Sequence, residues 1–191
     1  MKRILIFILI LCASVAFAAL GPELHPNPDL TGTSGIFDGV GSGSGDVADY
    51  YGIFIPASTT VTAVNDGSGP QSISVTGSGN AISFRALSNK NTITSGTTYY
   101  AVIEVSALSG SVTWQVSQTG SVNVQFTQTI SSIGTYTAEF VSDATFQATH
   151  YIIGLGTGES ITIDLMSLKE STPETRVETY SPVLRFFNFF N

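Results

Sequence analysis

The residues whose types invite a chemical reading are two histidines, a few carboxylates and one glycine run in a chain of 191 residues. His25 lies in a proline-flanked stretch and His150 opens a strand-like run. Neither adjoins a Gly-x-Ser-x-Gly elbow or a second histidine at helical spacing, so the usual nucleophile and zinc-hydrolase patterns are missing. Glu104 and Glu139 are the strand glutamates placed to meet on a face. Glycoside hydrolysis needs two carboxylates about 5–10 Å apart, one with a raised pKa. Both glutamates read as solvated residues on a sheet. The Gly39–Gly45 run matches a phosphate loop in composition alone, because it lacks the Lys-Ser/Thr ending and a following helix. It reads as a flexible loop. The expectation is a protein that is not an enzyme.

The polar residues suggest recognition instead. Thr113, Gln115, Ser117, Asn123, Gln125, Thr127, Thr137 and Glu139 occupy the outward positions of alternating segments, with few Lys or Arg among them. Amides and hydroxyls both donate and accept hydrogen bonds, as the hydroxyls of a sugar do. The same composition also suits a solvated Thr/Gln-rich sheet. Tyr100 lies on the opposite strand face from Tyr99, so with Tyr99 inside it becomes the exposed aromatic. Alternation then places Tyr100, Glu104, Gln115, Gln125 and Glu139 in one groove. Trp114 shares a face with Val112 and Val116 and reads as core.

These side chains need a β scaffold. From Tyr50 to Lys169 the pattern has period two and is rich in Val, Ile, Thr, Tyr and Phe. Clear cases are Val112–Val116, Val122–Phe126, Tyr136–Phe140, Tyr151–Leu155 and Ile161–Leu165. Gly52–Ile55, Thr59–Val64, Gln71–Val75, Ala81–Leu87 and Thr98–Ser106 are earlier candidates. Turn residues such as Asn65-Asp66-Gly67 and Gly156-Thr157-Gly158 separate them. About ten short antiparallel-compatible strands predict an all-β jelly-roll sandwich.

The chain ends carry different signals. Met1-Lys2-Arg3, the apolar Ile4–Leu11 run and Ala16-Phe17-Ala18 form a signal-peptide pattern over residues 1–18, too short to span a bilayer comfortably. Export to the outside or the cell surface follows as an expectation. Cleavage after Ala18 removes Cys12, the sole cysteine. The body is expected over 19–170 and a linker with a tail over 171–191. That tail holds four phenylalanines in five residues, Phe186 to Phe190, an apolar load that calls for a docking surface on this chain, another protein or a membrane. Lys and Arg total 7 against 14 Asp and Glu, a net charge of −7 that excludes a basic nucleic-acid groove.

Five segments resemble, in order, the carbohydrate-binding modules of the galactose-binding-like jelly-roll class, the type appended to cellulases and xylanases. They are Gly21–Leu30, Val47–Tyr51, Ser95–Tyr99, Ile133–Phe140 and Ile161–Leu168, together covering roughly residues 21–170. The resemblance implies a non-catalytic glycan-binding module, with Tyr50 and Tyr51 standing where members place a tryptophan. It also implies a structural calcium near the first and last strands, for which Asp29 and Asp164 are the candidate ligands. Thr31 replaces an acidic residue of that pattern. The alternative is a structural, adhesive or virion-associated surface protein assembling through residues 180–191.

Overall fold

The computed structural model describes residues 19–76, 82–87, 92–118 and 122–172. The signal-peptide pattern, the phenylalanine tail and the turn-type residues Gly77-Ser78-Gly79 and Thr119-Gly120 lie outside these residues. Among the described residues there is no helix, and fifteen strands run in chain order. They are β1 (Ala19–Glu23), β2 (Ser34–Gly39), β3 (Ser42–Gly45), β4 (Val47–Ile55) and β5 (Thr60–Val64). Next come β6 (Gln71–Val75), β7 (Ile82–Ala86), β8 (Thr92–Ile93), β9 (Thr98–Ser109) and β10 (Val112–Ser117). The last are β11 (Phe126–Ile130), β12 (Gly134–Val141), β13 (Phe146–Gln147), β14 (Thr149–Leu155) and β15 (Ser160–Thr172).

Two sheets form the expected all-β sandwich. The first has the order β12-β9-β15-β6-β5-β3, with β1 also on β15. The second has the order β11-β10-β14-β7-β4-β2, and β8 pairs with β13 separately. Alternation fills the space between them: Tyr99, Ala101, Ile103 and Val105 of β9 face Val112, Trp114 and Val116 of β10 across one continuous core. Trp114 is fully buried, as its sequence position predicts, and meets Phe126 edge-on at 4.9 Å between ring centres.

Three expectations needed correction. Most pairs are antiparallel, but β2 runs parallel to β4 and β3 parallel to β5. The chain passes from β4 in one sheet to β5 in the other around a corner, and the 34–45 segment follows the same corner alongside it. Val40 and Gly41 donate backbone N–H groups to the Ile55 carbonyl there, and Ser42 donates to that of Thr59. Gly39–Gly45 is therefore not a flexible loop. A Cβ at Gly43 would run into the Phe37 ring and one at Gly45 into the Ala63 carbonyl, so the run is glycine because the backbone must come that close. Finally, Val122–Gln125 does not form a strand. Asn123 has a φ of 50°, which breaks the extended run, and Val122 and Val124 are exposed.

One core position is polar. Gln71 opens β6 on its inward face with no exposed surface. Its Oε1 accepts the Ala48 N–H at 2.7 Å, and its Nε2 donates to the carbonyls of Asp46, Val64 and Ser72. This single amide joins the start of β4 and the end of β5 to β6.

Candidate functional site

Strand β4 decides which side chains reach solvent on the second sheet. Val47 and Ala48 are both buried, so strict alternation fails at its start. The irregularity is absorbed at Tyr50, whose φ of 69° is a strained backbone for an aromatic residue. The Leu87 N–H bonds its carbonyl at 2.7 Å, and the Asn27 amide bonds the carbonyl of Asp49 beside it at 3.1 Å. Tyr50 is thereby held 43% exposed while Tyr51 turns fully inward. Tyr50→Gly is expected to relieve the strain, adding about 1 kcal/mol and raising the thermal midpoint by about 3 °C. A fall in the midpoint would show that the ring's packing outweighs its backbone strain.

Strand register then lays out the outer face in two adjacent rows. One row runs Ile36, Gly52, Arg85, Tyr151, Gln115 and Thr127. The next runs Asp38, Phe54, Ser83, Ile153, Thr113 and Thr129. The Arg85 guanidinium sits 5.7 Å from the Tyr151 ring centre and 5.9 Å from that of Phe54. It also reaches Asp38 at 3.4 Å. Tyr151 is covered to 2% exposure, whereas Phe54 keeps 38%. Beside this platform Ser34, Gly35, Ile36, Asp49, Tyr50, Tyr51 and Leu87 line a cleft of about 410 Å³. Gly52 makes room for Leu87, because a Cβ there would run into the leucine side chain. The Asp49 carboxylate takes the Ser34 hydroxyl and, at 2.8 Å, the Ser34 N–H; these bonds hold its pKa below the usual range.

A buried polar chain supports the cleft from below. Trp114 Nε1 donates to His150 Nδ1 at 3.0 Å. The His150 and His25 rings meet edge-on at 4.8 Å. His25 Nδ1 lies 2.7 Å from the Tyr51 hydroxyl, which donates to the Asn27 carbonyl at 3.0 Å. The Asn27 side chain then spans the Thr31 and Asp49 carbonyls. Burial lowers the pKa of His25 well below its ordinary value, with His150 adding to it, and lowers that of His150 to about 3. Burial, then Glu23, pushes the Tyr51 hydroxyl well up.

The structure divides the side chains expected to share one groove. Tyr100, Glu104 and Glu139 lie on the outer face of the first sheet, where Glu139 and Lys169 flank Tyr100. Gln115 lies on the outer face of the second sheet, so the two sets point away from each other. Gln125 precedes β11 and exchanges hydrogen bonds with Asp143 in the loop after β12. Tyr51 is a core residue; only Tyr50 of that pair reaches the surface. Glu104 and Glu139 register with Thr135 and Tyr100, four residues apart along β9, which at strand rise is about 13 Å. That is outside the separation a two-carboxylate hydrolase uses.

Asp29 is exposed, and Asp164 accepts the Ser106 hydroxyl at 2.7 Å. Among the described residues no three His, Cys, Asp or Glu side chains stand together as a metal group. Phe54, Arg85 and Tyr151 were missed at the sequence level. The available signal was the Tyr50-x-Gly52-x-Phe54 alternation beside Arg85, one of only two cationic residues among those described.

No protein-family model matches the chain, and no curated protein does. Among solved structures, it is similar to a CBM4 protein at 16% identity and a TM-score of 0.48, covering 63% of this chain and 86% of that one. An arabinose-bound MgGH51 α-L-arabinofuranosidase gives 15% identity and a TM-score of 0.48, covering 64% of this chain and 23% of that one. The CBM22-1 xylan-binding domain of Paenibacillus barcinonensis Xyn10C gives 11% identity and a TM-score of 0.47, covering 82% of this chain and 99% of that one.

Proposed function

We propose that this chain is a non-catalytic glycan-binding β-sandwich whose binding face is the outer surface of the second sheet. The observation that carries this reading is the exposed Phe54 ring held beside Arg85, which packs on Tyr151, on the sheet face next to the Tyr50 cleft. An exposed aromatic edge offers an apolar surface to the C–H face of a sugar ring. Gln115 and Thr113 on β10 and Thr127 on β11, three and four strands from Phe54 on the same face, supply amide and hydroxyl partners for its oxygens. Arg85 is already paired with Asp38, and the chain carries a net charge of −7, which favours an uncharged glycan over an acidic one. The Met1–Ala18 pattern supports a secreted or cell-surface location for this activity.

Affinity electrophoresis against soluble xylan, mixed-linkage β-glucan and galactomannan tests the reading. The wild-type chain is expected to be retarded by at least one of them, with little dependence on salt. Phe54→Ala is expected to weaken that retention about tenfold or more, the loss typical of removing a central aromatic anchor. Free migration in all three gels, or full retention of the Phe54 variant, contradicts the assignment.

A further inference from the structure

The buried histidine pair has a proton arrangement with consequences for the cleft. Trp114 Nε1–H donates to His150 Nδ1, so neutral His150 carries its proton on Nε2. Tyr51 donates its hydroxyl proton to the Asn27 carbonyl, so His25 donates from Nδ1 and keeps a lone pair on Nε2. These two Nε2 atoms, one a donor and one an acceptor, are both buried and have no hydrogen-bond partner. A proton added to His25 Nε2 would place an N–H with no acceptor, and a charge, in a pocket without solvent.

The groups around the pair do not absorb such a charge. From β4 the facing group is the Tyr51 hydroxyl, and from β10 it is the uncharged Trp114. From β1 comes the Glu23 carboxylate, which accepts the His25 N–H, the Ser167 hydroxyl and the Leu168 N–H; its charge reaches Tyr51, but burial still dominates at His25. The Ser167 carbonyl of β15 lies near enough to favour the charged form of His150 without completing a hydrogen bond to Nε2, and burial outweighs it.

His25 belongs to the 24–34 segment linking β1 to β2, which lies across the sandwich through a short series of bonds. Leu24 N–H reaches the Leu168 carbonyl, Met166 N–H that of Pro28, Gly32 N–H that of Gly67, and Asp49 N–H that of Thr31. Ser34 of the same segment lines the cleft, and Asn27 holds the backbone next to Tyr50. Resting on the glycan reading above, we propose that His25 is an acid-operated latch, whose protonation lifts the 24–34 segment, loosens Tyr50 and releases glycan from the cleft. Only the opened segment lets His25 take up its proton near the ordinary histidine value. Opening therefore grows about tenfold for each pH unit below that value.

Hydrogen exchange on the full chain between pH 7 and pH 5, corrected for the intrinsic chemical rate, tests the latch without any glycan. Opening at the amides of Leu24, Leu30, Thr31, Gly32 and Asp49 is expected to rise about tenfold per pH unit, while β9 amides stay protected. His25→Gln is expected to remove this slope. Fluorescence of Trp114, the only tryptophan, reads the His150 end in the wild-type chain and is expected to change over the same range. Affinity for the retained soluble glycan is expected to fall at least tenfold from pH 7 to pH 5. A flat exchange profile, or opening of the segment and β9 together, overturns the latch even where glycan binds. Exchange that follows the latch with no glycan bound at pH 7 overturns the glycan reading and the release step.

Discussion

Between pH 7 and pH 5 the folded chain is expected to lose about 2 kcal/mol of stability through His150 alone. The unfolded chain takes up a proton near the ordinary histidine value, whereas the folded site refuses one until about pH 3. A histidine whose pKa is lowered by folding therefore contributes fully above about pH 6.5. Its contribution drains away toward the folded value at roughly 1.4 kcal/mol per pH unit. His25 is shifted the same way and steepens the slope. Asp49 and Asp66, whose side chains hold Ser34 and Ser68, have lowered pKa values and add to the loss at still lower pH. Urea midpoints across this range measure the effect, and His150→Gln is expected to flatten much of it. An unchanged midpoint from pH 7 to pH 5 would mean that the histidines are protonated or wet in the folded chain.

Gln71→Ala is expected to cost about 3 kcal/mol, the largest loss from any single polar truncation proposed for this chain. The alanine leaves the Ala48 N–H without its 2.7 Å acceptor and the carbonyls of Asp46, Val64 and Ser72 without their donor. It also opens a void between β4 and β6. For a chain of this size the thermal midpoint should fall by about 10 °C. Gln71→Leu restores most of the volume but none of the bonds, so it separates the two causes. If it recovers the full midpoint, packing carries the site; recovery of less than half assigns the loss to hydrogen bonding.

Much of the architecture is legible along the chain because the side-chain period of a strand is fixed at two. That period identifies β9, β10, β14 and β15 from their residues and sends Tyr99 and Trp114 inward. It fails where the backbone departs from simple extension. At the start of β4 Val47 and Ala48 are both buried, and Tyr50 takes a positive φ before the inward positions Tyr51, Ile53 and Ile55 follow. The glycines at 39–45 carry no side-chain pattern, and their pairing with β5 follows only from the room they leave for Phe37 and Ala63.

The histidine chain was hidden for a different reason. His25, Tyr51, Trp114 and His150 come from a loop and three strands spread over 126 residues of sequence. No local spacing relates them.

What the sequence by itself determined is therefore the class of the fold and the inward set of side chains, since burial requires one apolar face per strand. What only the tertiary structure decided is which outward residues share a surface. Alternation assigns a side chain to the face away from the core but does not say which of the two sheets its strand joins. Strands β9 and β10 are separated by only Gly110 and Ser111, yet they belong to different layers. Tyr100 and Gln115 therefore face opposite directions, and the aromatic platform belongs to Phe54, Arg85 and Tyr151, which the pairing of β4, β7 and β14 brings side by side.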